Sequence, residues 1–267
     1  MISRAGCLVA VAALAVLTGC GSSRSTTQTT SSAAPGGAGS SAAVSGTITV
    51  LAAASLTEAF STLAKQFEAA HPGMRVKLSF GASSALALQI NQGAPADVFA
   101  SAASKNMTQV ISAGGASTST NFVKNVMEIA VPPSNPAHIA TVADLARSGV
   151  KVALCQPQVP CGAVAQQVFD NAKVKVKPVT LEADVKSTLT KVETNEVDAG
   201  VVYVTDVRSA GAKVTGIPID SSVNAATSYP IAALTKAPNP AGAAAFVAYV
   251  LSDAGQQVFS ADGFERP

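Results

Sequence analysis

TITVLAAASLTEAFSTLAKQFEAAHPG, residues 47–73, carries two hydrophobic periods in succession. Thr47–Leu51 is a β-branched, apolar run of strand length, whereas Leu56, Ala59, Phe60, Leu63 and Phe67 recur at the spacing that lays one apolar stripe along a helix. Ala52, Ala53 and Ala54 form the joint. Ser55 with Glu58 three residues on reads as a capping box opening the helix, and His71-Pro72-Gly73 stops it. A strand that feeds a helix through so short a joint is the first half of a βαβ unit.

The same alternation continues along the chain. Strands are expected at Arg75–Phe80, Asp97–Ala100, Val126–Val131, Lys151–Cys155, Lys175–Thr180, Gly200–Val204 and Tyr229–Leu234, with helical segments between them. This predicts an α/β fold with a mainly parallel sheet. Pro132 to Pro136 and Ser221 to Ser228 are irregular and suit crossovers between two lobes. Residues 239–264 read as two helices that part near Ser252-Asp253. No internal repeat is visible.

Toward the N-terminus the run Leu17-Thr-Gly-Cys20 closes an apolar stretch that begins after Arg4. A positive start, a short apolar core and a small-residue cleavage site describe an export signal, with Cys20 as the first mature residue and the lipid acceptor. The stretch is shorter than the roughly 20 residues needed to span a bilayer. The alternative is an ordinary cleaved signal in which Cys20 is incidental. Residues 21–45 are almost wholly Ser, Thr, Gly, Ala and Pro, too poor in apolar bulk to order themselves. As a flexible tether they reach about 25–30 Å. The expected organisation is therefore signal peptide at 1–19, lipidated Cys20 and linker at 20–46, one lobe from 47–125 plus 229–267, and a second from 126–228. An extracytoplasmic, membrane-tethered location follows.

Without the signal, 17 basic side chains face 16 acidic ones, which removes any electrostatic case for nucleic acid. Cys7 and Cys20 belong to the export region. Cys155 and Cys161 are then the thiols of the folded body, and in an oxidising compartment they are expected to pair. A thiol metal site is the competing reading, but only His71 and His138 could join it, so no direct metal ligands are assigned.

Several strand-to-helix joints place a hydroxyl or a free backbone N–H where a helix begins, which is an anion trap. Ser55 follows three alanines that allow close approach to the backbone; capping alone is the plainer role. Ser83 and Ser84 follow Gly81-Ala82, and one cap does not call for two serines. At Ala153–Ala165 a strand enters a Pro-rich loop and a helix starts at or just after Cys161, whose N–H and not its sulfur would be available once paired. Asp184-Val185 opens another helix, with Asp184 reading as its cap. Tyr203 ends an apolar strand, where its phenol either points into a cleft or is buried and satisfied by backbone.

With ITVLAAASLTEAF, SFGASSALALQINQGAPADVFASA and NEVDAGVVYVTD in order, the chain resembles the molybdate-binding component of ABC importers, among the extracytoplasmic solute-binding proteins. The resemblance covers nearly all of residues 47–264. It implies a two-lobed type II periplasmic-binding-protein fold with the ligand cleft between the lobes. It implies a tetrahedral oxyanion held by neutral donors: Ser55 and Ser83 by hydroxyl and N–H, Cys161 and Val185 by N–H, and Tyr203 by its hydroxyl, with Ala102 lining the pocket. The family often has alanine where Cys161 stands, a change that a main-chain contact tolerates. The ligand would be molybdate or tungstate, with no cofactor and no catalytic residues. The partners would be an ABC permease with its ATPase and a membrane through the Cys20 lipid, the protein itself being a monomer.

Donor-only chemistry suits a fully ionised dianion, whereas phosphate keeps a proton and wants an acceptor. Sulfate is separated from molybdate by size alone, so a sulfate or other small-oxyanion protein is the alternative. An exported serine hydrolase is suggested only by Ser148-Gly-Val-Lys151, without the companion motifs or a nucleophile elbow. A sensor or adhesin that retained the fold is a further alternative.

Overall fold

The computed structural model describes residues 44–267; the export signal, Cys20 and most of the linker lie outside the described residues. The opening stretch forms strand β1 (Gly46–Ala53), a single 3-10 turn (Ala54–Leu56) and helix α1 (Thr57–Ala70). Ala59, Phe60, Leu63, Ala64 and Phe67 are the buried face of α1, as their spacing dictates. The His71 N–H closes on the Phe67 carbonyl at 2.8 Å, which ends the helix where expected.

There follow β2 (Met74–Gly81), α2 (Ser83–Asn91), β3 (Val98–Ala100), α3 (Ser104–Ser112) and the long β4 (Thr120–Val131). Next come β5 (Val152–Cys155), α4 (Pro160–Ala172), β6 (Thr180–Glu182), α5 (Val185–Glu193), β7 (Ala199–Tyr203) and α6 (Val204–Ala210). The chain ends with β8 (Thr215–Pro218), β9 (Ala226–Ala233), α7 (Pro240–Leu251) and α8 (Asp253–Asp262). Ser252 caps α8 through its side chain, so the two C-terminal helices part where the sequence indicated.

Strands hydrogen-bond in the order β2-β1-β3-β9-β4-β7-β5-β6, with β8 on β4. β1 runs parallel to β2 and β3, and β5 parallel to β6 and β7. β4 and β9 run antiparallel to each other and join these parallel groups. The first half of β4 pairs with β9; from Met127 onward it pairs with β7 and β8.

Buried side chains gather in separate clusters. One is aromatic and built around Phe60, whose ring centroid lies 6.1 Å from Phe122, 6.0 Å from Phe246 and 6.1 Å from Phe259. A second, with Leu51, Leu86, Phe99 and Met107, fills the space under α2 and α3. The third is mainly aliphatic and draws on Met127–Ile219 together with Ala54.

Five expectations need correction. Lys175–Val179 forms no strand, because Pro178 has no N–H to give a ladder; pairing starts only at Thr180. β4 begins at Thr120, well before Val126, and β9 begins at Ala226, inside the stretch expected to be irregular. Val204 starts α6 instead of continuing β7. The Ser55–Glu58 capping box does not form, since the Ser55 hydroxyl is engaged elsewhere and Leu56 occupies the cap position of α1.

Candidate functional site

Through the antiparallel pairings β3–β9, β9–β4 and β4–β7, strands β1 and β3 run opposite to β5 and β7, and the carboxyl ends of the two parallel groups meet, the kind of place where open α/β sheets bind their ligands. A small cavity lies at these ends, lined by Ala53, Ala54, Ser55, Gly81, Ser83, Ala102, Val159, Pro160, Cys161, Val185 and Tyr203. Ser55, Ser83, Ala102, Cys161, Val185 and Tyr203 thus come together from six segments of the chain. Ser84 does not line the cavity. The space between these groups is small.

Each group arrives by a different route. Ser55 sits in the 3-10 turn after β1, 4% exposed, with Oγ 2.9 Å from Tyr229 Oη. Ser83 is the first residue of α2; its Oγ accepts the Ala102 N–H at 2.9 Å, and the Ala102 carbonyl accepts from Thr227 Oγ1 at 2.6 Å. With one lone pair engaged from behind, the Ser83 proton is free for the cavity.

Cys161 lies in the first turn of α4 and is disulfide-bonded to Cys155 at the end of β5. A Cβ on Gly162 would stand 2.1 Å from the Gln156 carbonyl oxygen, so only glycine lets the helix start press against the end of β5. Val185 is the first residue of α5, and Asp184 caps that helix by accepting from the Ser187 N–H at 2.9 Å. The Asp184 carboxylate is therefore committed to its helix and stays out of the cavity lining. First-turn N–H groups have no acceptor within their own helix, so those of Cys161 and Val185 remain available.

Tyr203 is buried at the end of β7, and its hydroxyl has no hydrogen-bond partner among the described residues. A buried polar atom without a partner is costly and demands an explanation. Burial, with Tyr229 and Asp206 adding to it, raises the Tyr203 phenol well above its ordinary range, so it stays a donor. Among the described residues no charged side chain lines the cavity. What the arrangement can do is donate hydrogen bonds, from hydroxyls and helix N-termini together, to one small anion.

A ring of support surrounds it. Asp206 is fully buried; its Oδ2 accepts the Tyr203 N–H at 3.1 Å and its Oδ1 faces Lys186 Nζ at 3.3 Å. Burial lifts the Asp206 carboxyl to about 6 against the opposing pull of Lys186. Burial by itself would lower Lys186, but Asp206 and Glu58 outweigh it and hold the ammonium above its usual value.

Tyr229, Thr227, Asp206 and Gly162 are the supporting residues that sequence reasoning missed, since their partners are distant in sequence or main-chain. A larger recess of about 480 Å³, lined by groups including Val142, Val174, Ile219 and Val223, presents mainly aliphatic walls, with Thr141 and Asp220 among them.

Residues 48–265 match the family model described as bacterial extracellular solute-binding protein. The chain belongs to that family. The solute-binding protein is 42% identical over 222 residues to the molybdate-binding protein ModA of Mycobacterium tuberculosis, covering 83% of this chain and 85% of that one. It is 30% identical to the putative ABC transporter substrate-binding lipoprotein YvgL of Bacillus subtilis, over 96% of both chains. Its fold matches that of the Azotobacter vinelandii periplasmic molybdate-binding protein with a TM-score of 0.74 at 20% identity, covering 82% of this chain and 99% of that one. The fold is therefore that of the periplasmic binding proteins, and the family role is binding and not catalysis.

Proposed function

We propose that this solute-binding protein captures molybdate, and tungstate with it, outside the cytoplasm and delivers it to an ABC permease for import. The observation that carries the reading is the cavity itself, in which Ser55, Ser83, Cys161, Val185 and Tyr203 converge without a carboxylate or a cation among its lining residues. A dianion that carries no proton is matched by donors alone, and neutral donors hold it without an opposite charge to be desolvated. Relatives named for molybdate binding support the choice of oxyanion.

In this reading the Ser55 and Ser83 hydroxyls and N–H groups, the Cys161 and Val185 N–H groups and the Tyr203 hydroxyl surround one anion. Residues 47–125 with 229–267 form one lobe and residues 126–228 the other, with β4 and β9 crossing between them and the anion at their contact. The separate aromatic and aliphatic clusters support that division. Cys20 carries the lipid that tethers a monomeric body to the membrane beside its permease, and the relative named as a lipoprotein supports the anchor.

Calorimetric titration of the purified protein with molybdate, tungstate, sulfate and phosphate tests this. One-to-one binding of the first two, lost when Ser55 and Ser83 are both changed to alanine, is the expected result. Sulfate binding as tight as molybdate would make it a general sulfate or oxyanion carrier, and binding unchanged in the double variant would remove the site.

A further inference from the structure

The Ser55 hydroxyl is held from behind by a residue 174 positions away. Its Oγ lies 2.9 Å from Tyr229 Oη, and both side chains are buried. A hydroxyl has one proton and two lone pairs, so the direction of this bond decides what Ser55 presents to the cavity. Were Ser55 to donate to Tyr229, only its lone pairs would face an anion. If Tyr229 donates, the Ser55 proton is released toward the cavity.

The surroundings favour the second direction. Among the described residues the Tyr229 hydroxyl is bonded to Ser55 Oγ alone, so its proton goes there or is left unpaired in the core, whereas Ser55 lines the cavity and can spend its own proton on a ligand. Tyr203, unpartnered and lining the cavity, has its own proton to spend on a ligand. Ser83 has the same arrangement in a form that cannot reverse, because the group behind it is the Ala102 N–H, which has no lone pair to offer. Both serines then have donors behind them and protons in front.

We propose that Tyr229 is a positioning residue of the anion cavity: by donating to Ser55 Oγ it turns the Ser55 proton toward the cavity, and so favours a fully ionised tetrahedral dianion over one that carries a proton. The inference rests on the oxyanion-binding reading above. Hydrogen phosphate needs an acceptor for its P–O–H, and serines that face the cavity with their protons, each with one lone pair engaged from behind, supply it poorly. Removing the Tyr229 hydroxyl frees a lone pair on Ser55 and leaves its proton unoriented, which costs a proton-free anion more than it costs hydrogen phosphate.

Tyr229→Phe deletes that hydroxyl and keeps the ring packed on Phe122, Tyr203 and Phe264. Wild type, Y229F, S55A and the double variant are titrated with molybdate and with inorganic phosphate at pH 8 in the full-length protein. Y229F is expected to bind molybdate about tenfold more weakly and to narrow the molybdate-to-phosphate ratio, with no further loss when added to S55A. An unchanged affinity for molybdate overturns the inference. So does a loss in the S55A background as large as in wild type, or an equal loss of both anions with a lowered melting temperature. Wild type that ignores molybdate defeats the parent reading and takes this one with it, a pattern visible without any variant.

Discussion

Lys186 Nζ stands 2.9 Å from Glu58 Oε2 and 3.3 Å from Asp206 Oδ1, tying α5 to both α1 and α6. Each member of this cluster backs a cavity group. Lys186 follows Val185, Glu58 follows Ser55 by three residues, and Asp206 holds the Tyr203 N–H. The two arms are unequal. Glu58 is about half exposed, and such pairs contribute only tenths of a kcal/mol once water screens them; Asp206 has no exposure, so its charge depends on Lys186.

Lys186→Met is therefore expected to strand a buried carboxylate and lower stability at pH 7 by about 3 kcal/mol. Chemical denaturation measures it, and molybdate affinity should fall in parallel because Val185 and Tyr203 lose support. A cost below about 1 kcal/mol would show that the exposed arm alone matters.

Asp206 also predicts a pH dependence with a definite sign. Its folded-state carboxyl is raised to about 6, above the usual carboxylate range, so the native protein takes up this proton before the unfolded chain does. Relative to Asp206→Asn, wild type should lose stability as pH rises from about 4 to about 6, by at most ~1.4 kcal/mol per unit, with a constant difference above that window. Denaturation of both proteins across pH 4–8 checks it; a flat difference throughout would sink the assignment.

The Cys155–Cys161 disulfide closes a loop with a sequence separation of 6. Chain-entropy reasoning gives a stabilisation of about 2 kcal/mol for so short a loop. The double serine variant should melt lower, yet hold molybdate within a few-fold of wild type, because the Cys161 contribution is its N–H. Loss of binding out of proportion to the change in melting temperature would mean that the loop conformation itself depends on the bridge.

Gly162→Ala should be far more damaging than its size suggests. The added methyl meets the Gln156 carbonyl oxygen at 2.1 Å and the Cys155 carbonyl oxygen at 2.7 Å, both backbone atoms. Relief requires α4 to withdraw from β5, which carries the Cys161 N–H away from the cavity. A stability loss of about 3 kcal/mol with weakened molybdate binding is expected. A variant with native stability and affinity would refute the close approach.

Local pattern was enough for the helices with a strong apolar stripe. α1 starts within a residue and ends at the residue expected, because Phe60, Leu63 and Phe67 must share a face and His71-Pro72-Gly73 cannot continue a helix. Short edge elements were the weak point. Lys175–Val179 alternates like a strand, but Pro178 denies it a ladder; α6 begins at Val204 without a break in the apolar run of β7. Burial and pairing partners, which no window of sequence contains, decide such cases.

By itself the sequence determined the alternation of strands and helices, the neutral character of the cavity and the serine, tyrosine and helix-start residues that line it, since hydroxyls and chain direction are local properties. Tertiary structure alone decided which way those groups face. Ser55 looks like its own helix cap until Tyr229 arrives from β9, the Ser83 proton is turned to the cavity only when Ala102 closes behind it, and Asp206 shifts upward only because folding buries it, against the pull of Lys186. The polarity of a hydroxyl and the charge of a carboxyl are set by what stands within about 3 Å, and here that neighbour is often more than a hundred residues away or carried on a different element.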